Sequence, residues 1–314
     1  MFGSMHWRVK GAIQKVLGHV PGGAQVHYLL QRYGGGLARF GAECDVKVED
    51  WRLMMGHLRS SKVPLDGTTL LEMGTGWYPT FPICLWLAGA ARIHTLDLNR
   101  HLRPDMTIAL VERLDRHVAT IAEESGQTAS AVAERRRALL AALRSGASIG
   151  AATNGAIDYR APADASKTNL PDASVDVVFS NSVLEHVPPT VIDACFREAF
   201  RILKPGGIAF HSVNCGDHYA YVDRSISQLH YLRYSEDAWK RWNNAFLYQN
   251  RLRAQDFTAL AKDAGFAIEI DTSRPHPMRL RQLEEIVVHP SFASRYSREQ
   301  LAITSIDFVG RKAS

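Results

Sequence analysis

The chain has 314 residues, 46% of them hydrophobic and 22% charged, with a formal net charge of +5. That balance excludes a disordered or fibrous protein and allows one large globular domain or a domain with elaborations. The longest apolar stretch, Phe81 to Ala91, is broken by Pro82 and Gly89 and falls well short of the roughly 20 residues a bilayer-spanning helix needs, so no membrane span is expected.

The N-terminal stretch scatters His6, Arg8, Lys10, Gln14, Lys15 and His19 among apolar residues, unlike the continuous core of a signal peptide. A cytoplasmic location is the expectation. Residues 1–62 read as an N-terminal helical cap: Val26, Leu29, Leu30 and Tyr33 recur at helical spacing, and a second helix is expected from Val46 to His57. Val63-Pro64-Leu65-Asp66-Gly67 is a turn-rich boundary, after which short apolar runs alternate with helical patterns, the signature of a parallel α/β sheet. Strands are expected at Thr69–Met73, Arg92–Asp97, Ile157–Arg160, Val175–Ser180, Ile208–Val213, Phe266–Thr272 and near Ile303–Val309. Residues 112–145 read as amphipathic helix broken near Ser125-Gly126, with Arg135, Arg136 and Arg137 on a solvated face. Thr190–Leu203 reads as a helix capped by Thr190, with Val191, Cys195, Ala199 and Ile202 as its apolar stripe and Pro205-Gly206-Gly207 as its stop. Asp256–Ala264, ended by Gly265, is another.

Cys44, Cys84, Cys195 and Cys215 lie 40, 111 and 20 residues apart, which fits no zinc pattern or disulfide framework and predicts reduced, buried thiols. Basic residues are spread without a dense block, which argues against nucleic acid as the partner.

Chemistry first shows at Leu71-Glu72-Met73-Gly74-Thr75-Gly76, where an apolar strand ends in an acid and two glycines spaced by one. Glycine there lets the backbone turn tightly and lets a ligand reach the main chain. The next strand ends in Asp97, 21 residues after Gly76, placed to accept hydrogen bonds from the ribose hydroxyls of an adenosine-type cofactor. Pro79 stands where a dinucleotide fingerprint has its third glycine and offers no N–H to a pyrophosphate, which argues against NAD(P).

These blocks resemble the class I S-adenosylmethionine-dependent methyltransferases over roughly residues 63–310. Glu72 to Gly76 looks like that family's first motif, Asp97 its acidic second motif, and Asp164-Ala165 its adenine-contacting position. Residues 169–187, ending Asn181-Ser182-Val183-Leu184-Glu185-His186-Val187, resemble its fourth-strand block, and Leu203-Lys204-Pro205-Gly206-Gly207 the turn before its fifth strand. The chain is also similar to bacterial methyltransferases of surface-polysaccharide gene neighbourhoods.

The resemblance implies an α/β, Rossmann-like, seven-stranded, mostly parallel sheet with helices on both faces, in a domain over residues 63–314 that carries a helical insertion near 215–253. It implies S-adenosyl-L-methionine held by Glu72, Gly74, Thr75, Gly76, Asp97, Leu98, Asp164, Ala165, Asn181 and His186. Gly74 and Gly76 would lie at the methionine part, Asp97 at the ribose, Asp164 at the adenine amine, Asn181 beside the reacting centre and His186 on the pocket wall. Trp77, Tyr78 and Pro79 depart from the pattern where many members carry a further glycine. The Asn/Asp/Ser-Pro-Pro-Tyr/Phe tetrad of amino-methylating nucleic-acid enzymes is replaced here by Ser180-Asn181-Ser182-Val183, no cysteine follows a proline, and no CxxxCxxC cluster exists.

What remains is displacement at the sulfonium, with the acceptor positioned by the protein and, for a hydroxyl, deprotonated. Residues 211–223 are dense in titratable and aromatic groups in the loop this fold sets over the acceptor. His218 is the first candidate base, oriented by Asp217 or Asp223, and His211 the second. Asp217, Asp223, Asn214 and His218 are an alternative Mg²⁺ set, although no metal is expected. The aromatic residues and arginines of 225–253 suit a flat polar acceptor, or equally a helical insertion packed on the cap. The expected acceptor is a small molecule or glycan methylated on oxygen. RNA-directed methylation and a non-catalytic cofactor-binding or interaction module are the alternatives.

Overall fold

In the computed structural model, residues 5–244 and 246–313 are described. Seven strands, β1 (Thr69–Met73), β2 (Arg92–Leu96), β3 (Ile157–Arg160), β4 (Val175–Asn181), β5 (Leu203–Asn214), β6 (Ala267–Asp271) and β7 (Ser305–Arg311), form one sheet in the order β3-β2-β1-β4-β5-β7-β6. All neighbouring pairs are parallel except those of β7, which runs antiparallel to β5 and β6. The order reverses between β1 and β4, so their C-terminal ends flank a crevice, the place where open α/β sheets take ligands.

Alternation along the central strands feeds two cores. Leu70, Ile93, Val177, Phe179, Ile208 and Phe210 face one side, Leu71, Met73, Val178, Ala209 and Val213 the other. The first side is covered by α3 (Phe40–Ser60), α4 (Thr80–Leu87) and helices between Pro104 and Arg144, the second by helices Pro189–Ile202 and Ala254–Asp263. Ahead of α3 lie α1 (Trp7–Leu17) and α2 (Gly23–Gly34). Cys44, Cys84, Cys195 and Cys215 are buried and free, as expected.

Several expectations are corrected. β5 begins at Leu203, because Pro205-Gly206-Gly207 is absorbed as an irregularity in the β4–β5 ladder, between the Leu203↔Val175 and Ile208↔Val177 pairings. The helix before it starts on Pro189 with no side-chain cap from Thr190, and its buried stripe is Ile192, Cys195, Phe196, Ala199 and Ile202, with Val191 exposed. Arg136 is buried, donating to the Val111 carbonyl and to Asp115, and Arg135 lies over the Trp86 ring, so these two leave the solvated face. The segment near 215–253 contains short turns of helix, the longest being Glu236–Lys240. Its aromatic residues Tyr219, Tyr231 and Trp239 pack with Trp7 of α1 in a third, satellite core. No helix among the described residues is long and apolar enough to cross a membrane.

Candidate active site

The chain leaves β1 through Gly74 and Gly76, both at positive φ. A side chain on Gly74 would come within 2.5 Å of Val183 Cγ2, whereas one on Gly76 would meet nothing within 4 Å. Packing and backbone therefore demand the first glycine, and the second keeps the main chain approachable. Behind this turn Glu72 is buried and accepts from the Thr95 hydroxyl, which also pairs with that of Thr75. Burial, with a smaller contribution from the Asp97 charge, pushes the Glu72 carboxyl up to about 8.

Asp97 follows β2. Its Oδ1 accepts from the Gly76 N–H at 3.2 Å and its Oδ2 from the Tyr159 hydroxyl at 3.1 Å. Burial raises its pKa, opposed by those two hydrogen bonds. A carboxylate offers about four acceptor positions, so two more can serve a vicinal diol, and the residues present fit a ribose-bearing cofactor. Leu98 is exposed beside it. The Ala163 N–H donates to the Asp97 carbonyl at 2.8 Å, which ties the loop carrying Asp164 and Ala165 to this tip. Asp164 Oδ1 is held by the N–H and hydroxyl of Ser166. Sequence reasoning missed Tyr159, whose only signal was its place on the neighbouring strand.

It also missed α3. Asn181, at the tip of β4, donates to Asp50 Oδ2 at 3.3 Å. Burial raises the Asp50 pKa, with the Asn181 bond opposing. Lys47, one turn earlier, holds its ammonium 4.7 Å from the centre of the Tyr78 ring. An amphipathic pattern shows which face of such a helix is buried, not which turn overhangs a strand tip.

Glu185 and His186 follow β4 and His218 follows β5. Because those strands are neighbours, one metal-ligating atom from each of the three side chains lies within 4.8 Å of the others. His186 Nδ1 sits 2.7 Å from the Tyr248 carbonyl, which can only accept, so Nδ1 carries the hydrogen and Nε2 keeps its lone pair. His218 meets His186 edge-on, ring centres 4.9 Å apart, and its Nε2 is 4.0 Å from Glu185 Oε1. Neither Glu185 oxygen nor His218 Nε2 has a hydrogen-bond partner among the described residues. Burial pushes the Glu185 carboxyl up to about 8; the backbone N–H groups of Glu185 and Asn214 give partial relief without reaching hydrogen-bond geometry. Burial, then the nearby His186 and Lys10, hold the His218 imidazole down at about 3. Glu185 was overlooked in the sequence, although an acid directly before His186 was its signal.

The other expected groups go elsewhere. Asp217 does not orient His218: its Oδ1 accepts from the Tyr219 N–H at 2.9 Å and its Oδ2 pairs with His230 Nδ1 at 3.0 Å. Asp223 holds the Trp7 N–H and the Ser225 hydroxyl, and Asn214 bonds Tyr221 and the Gly216 N–H. These three therefore do not assemble a cation site with His218. His211 is fully enclosed, 2.8 Å from the Ser180 hydroxyl and against the rings of Phe196 and Phe308, and burial lowers its pKa to about 3.

The N-terminal helices reach over the tips. Tyr28 packs on Trp77 and His27 on Phe246, with ring centres 5.1 and 4.2 Å apart, while Lys10 is charge-coupled to both Asp217 and His218. Surface hollows lined by Leu283, Tyr296 and Leu301 and by Met55, Leu58 and Glu124 hold none of these groups.

Residues 124–211 match the family described as a methyltransferase domain. An arsenite methyltransferase of Aquipseudomonas alcaligenes is 35% identical over 103 residues, 33% of this chain and 25% of its own length. The chain thus aligns with about a quarter of that curated relative. Among solved structures, an S-adenosylmethionine-dependent methyltransferase from Mesorhizobium loti is similar at 15% identity, covering 82% of this chain and 96% of that one, TM-score 0.44. A geranyl diphosphate C-methyltransferase from Streptomyces coelicolor is similar at 12% identity, covering 83% and 79%, TM-score 0.47.

Proposed function

We propose that this chain, whose residues 124–211 match a methyltransferase domain and whose seven-stranded sheet reverses its order between β1 and β4, is a class I S-adenosylmethionine-dependent methyltransferase that methylates a hydroxyl oxygen of a small molecule or glycan in the cytoplasm. When bound, the cofactor supplies an electrophilic methyl group: the C–S electron pair stays on sulfur, the acceptor oxygen forms the new C–O bond, and a proton remains to be removed. Asp97, steadied by Tyr159, holds the ribose, the Gly74–Gly76 turn the methionine part, and Asp164 the adenine amine. Asn181 and Asp50 lie beside the reacting centre.

The observation that supports an oxygen acceptor is the Glu185–His186–His218 cluster, a carboxyl and two imidazoles gathered at the β4 and β5 tips on the same sheet edge as Asp97, where they can hydrogen-bond and orient a hydroxyl. A ready-made nucleophile would need no such set. A nucleic-acid acceptor gains no support from residues 225–253. Trp239 and Tyr231 are buried, and Arg251 and Arg253 are engaged with backbone carbonyls.

Calorimetric and thermal-shift titrations with S-adenosylmethionine and S-adenosylhomocysteine, with NAD⁺ as control, test the cofactor, since a ligand of the folded state alone raises stability. Binding of the first two and not of NAD⁺ is expected. Binding of neither overturns the reading. Labelled methyl donor with hydroxylated acceptors, and with amines and thiols alongside, then tests the acceptor atom.

A further inference from the structure

We infer that Glu185, His186 and His218 form a binding site for a divalent first-row transition-metal ion, which takes the acceptor hydroxyl as a further ligand. The second clause rests on the methyl-transfer reading; the site itself rests on geometry alone.

Three observations converge. The Glu185 carboxylate is only 2% exposed, yet both of its oxygens, like His218 Nε2, end without a hydrogen-bond partner among the described residues. Buried polar atoms without partners are costly, and a cation shared between them removes that cost. The Tyr248 carbonyl fixes His186 with its lone pair on Nε2, and a metal-binding imidazole is oriented in this way by a hydrogen bond from its other nitrogen. One potential ligating atom of each side chain already lies within 4.8 Å of the others, with 4.0 Å between His218 Nε2 and Glu185 Oε1. Ligands about 2.1 Å from a common ion stand roughly 3–3.5 Å apart, so side-chain shifts of about 1 Å close the shell.

Two imidazoles and one carboxylate suit Mn²⁺, Fe²⁺, Co²⁺ or Zn²⁺ better than Mg²⁺ or Ca²⁺, which favour all-oxygen shells. Three protein ligands leave coordination positions open for an acceptor. An acceptor hydroxyl in one of them is acidified and releases its proton to solvent, so a buried imidazole with depressed basicity is not required to act as the base.

The test uses the full-length protein stripped with chelator and titrated with Co²⁺, followed by visible absorption and calorimetry. One equivalent should bind. Glu185→Gln and His218→Gln should each weaken that binding by more than ~10-fold, while both variants keep the thermal shift given by S-adenosylhomocysteine and a native near-ultraviolet dichroism spectrum. Folded variants that bind Co²⁺ as wild type does, a wild type that takes up none, or a site that prefers Mg²⁺ to Co²⁺ would each overturn the inference. Co²⁺ uptake without S-adenosylhomocysteine binding would leave the metal site standing and remove the methyl-transfer reading.

Discussion

At the residue scale, Asp97 and Glu185 are both buried acids at strand tips, and their hydrogen bonds separate their roles. Asp97 has the Gly76 N–H and the Tyr159 hydroxyl to hold it ready as an acceptor. Asp97→Ala should weaken S-adenosylhomocysteine binding by ~1.5–3 kcal/mol, the range for charge-assisted bonds, and Tyr159→Phe by ~0.5–1.5 kcal/mol, both read by calorimetry. Unchanged affinity in Asp97→Ala would remove the ribose assignment. Glu185 lacks such partners, and its carboxyl is raised from the ordinary 4.5 to about 8. Across that window the native state keeps a proton that the unfolded chain releases, so the stability this group contributes is present below pH 4.5 and lost as pH rises to 8. Metal-free Glu185→Gln should therefore melt close to wild type at pH 4.5 and above it at pH 8, by a few kcal/mol in stability. A difference between the two proteins that stays constant with pH would mean that Glu185 is ionised in the native state. Asp97 was legible in sequence because strand and acid are contiguous. The three-residue cluster was not, because His218 joins Glu185 and His186 only through the pairing of β4 with β5.

At the scale of elements, legibility followed locality. β1 and β3 have the bounds that their apolar runs imply, since nothing distant has to be known to place a short buried strand after a turn. β5 and the segment after it were misjudged because a Pro-Gly-Gly run reads as a stop, and only the ladder with β4 shows that it is accommodated within a strand. The two glycines after β1 were read from sequence as equivalent, and the structure divides them. Gly74→Ala sets a methyl group against Val183 at a φ of +83° and should destabilise the fold by ~2–4 kcal/mol. Gly76→Ala meets only the backbone strain at +73° and should cost ~1 kcal/mol in stability while lowering cofactor affinity at least ~10-fold, because the added methyl stands where the ligand approaches. Thermal unfolding together with calorimetry separates the two effects, and equal losses of stability in both variants would contradict the division.

At the scale of the whole molecule, the sheet and its two flanking cores form one body, and the satellite core of α1, the 219–239 segment and residues 283–302 forms another layer beside it. The hydrophobic pattern of α1 and α2 did not show what is buried: Val26, Leu29, Leu30 and Tyr33, which recur at helical spacing in α2, are exposed, and Trp7 of α1 is buried by residues more than 200 positions later in the chain. α1 and the short turns of the 218–240 segment are held by this aromatic cluster, with no strand ladder running through them, so they should open at lower free energy than β4 and β5. The candidate metal ligand His218 and the neighbouring Lys10 belong to this layer, whereas Glu185, His186 and Asp97 follow directly from the sheet. Ligands bridging the two layers must therefore tighten the looser one. Hydrogen exchange on the full chain should show α1 and residues 218–240 exchanging faster than β4 and β5 in the free protein. S-adenosylhomocysteine with Co²⁺ should slow exchange in these segments by at least ~10-fold, which corresponds to about 1.4 kcal/mol of added local stability. The same ligands added to His218→Gln should protect the β1 and β2 tips while leaving the 218–240 segment near its free rate. Equal protection of both layers in that variant would show that the layer closes on the cofactor alone.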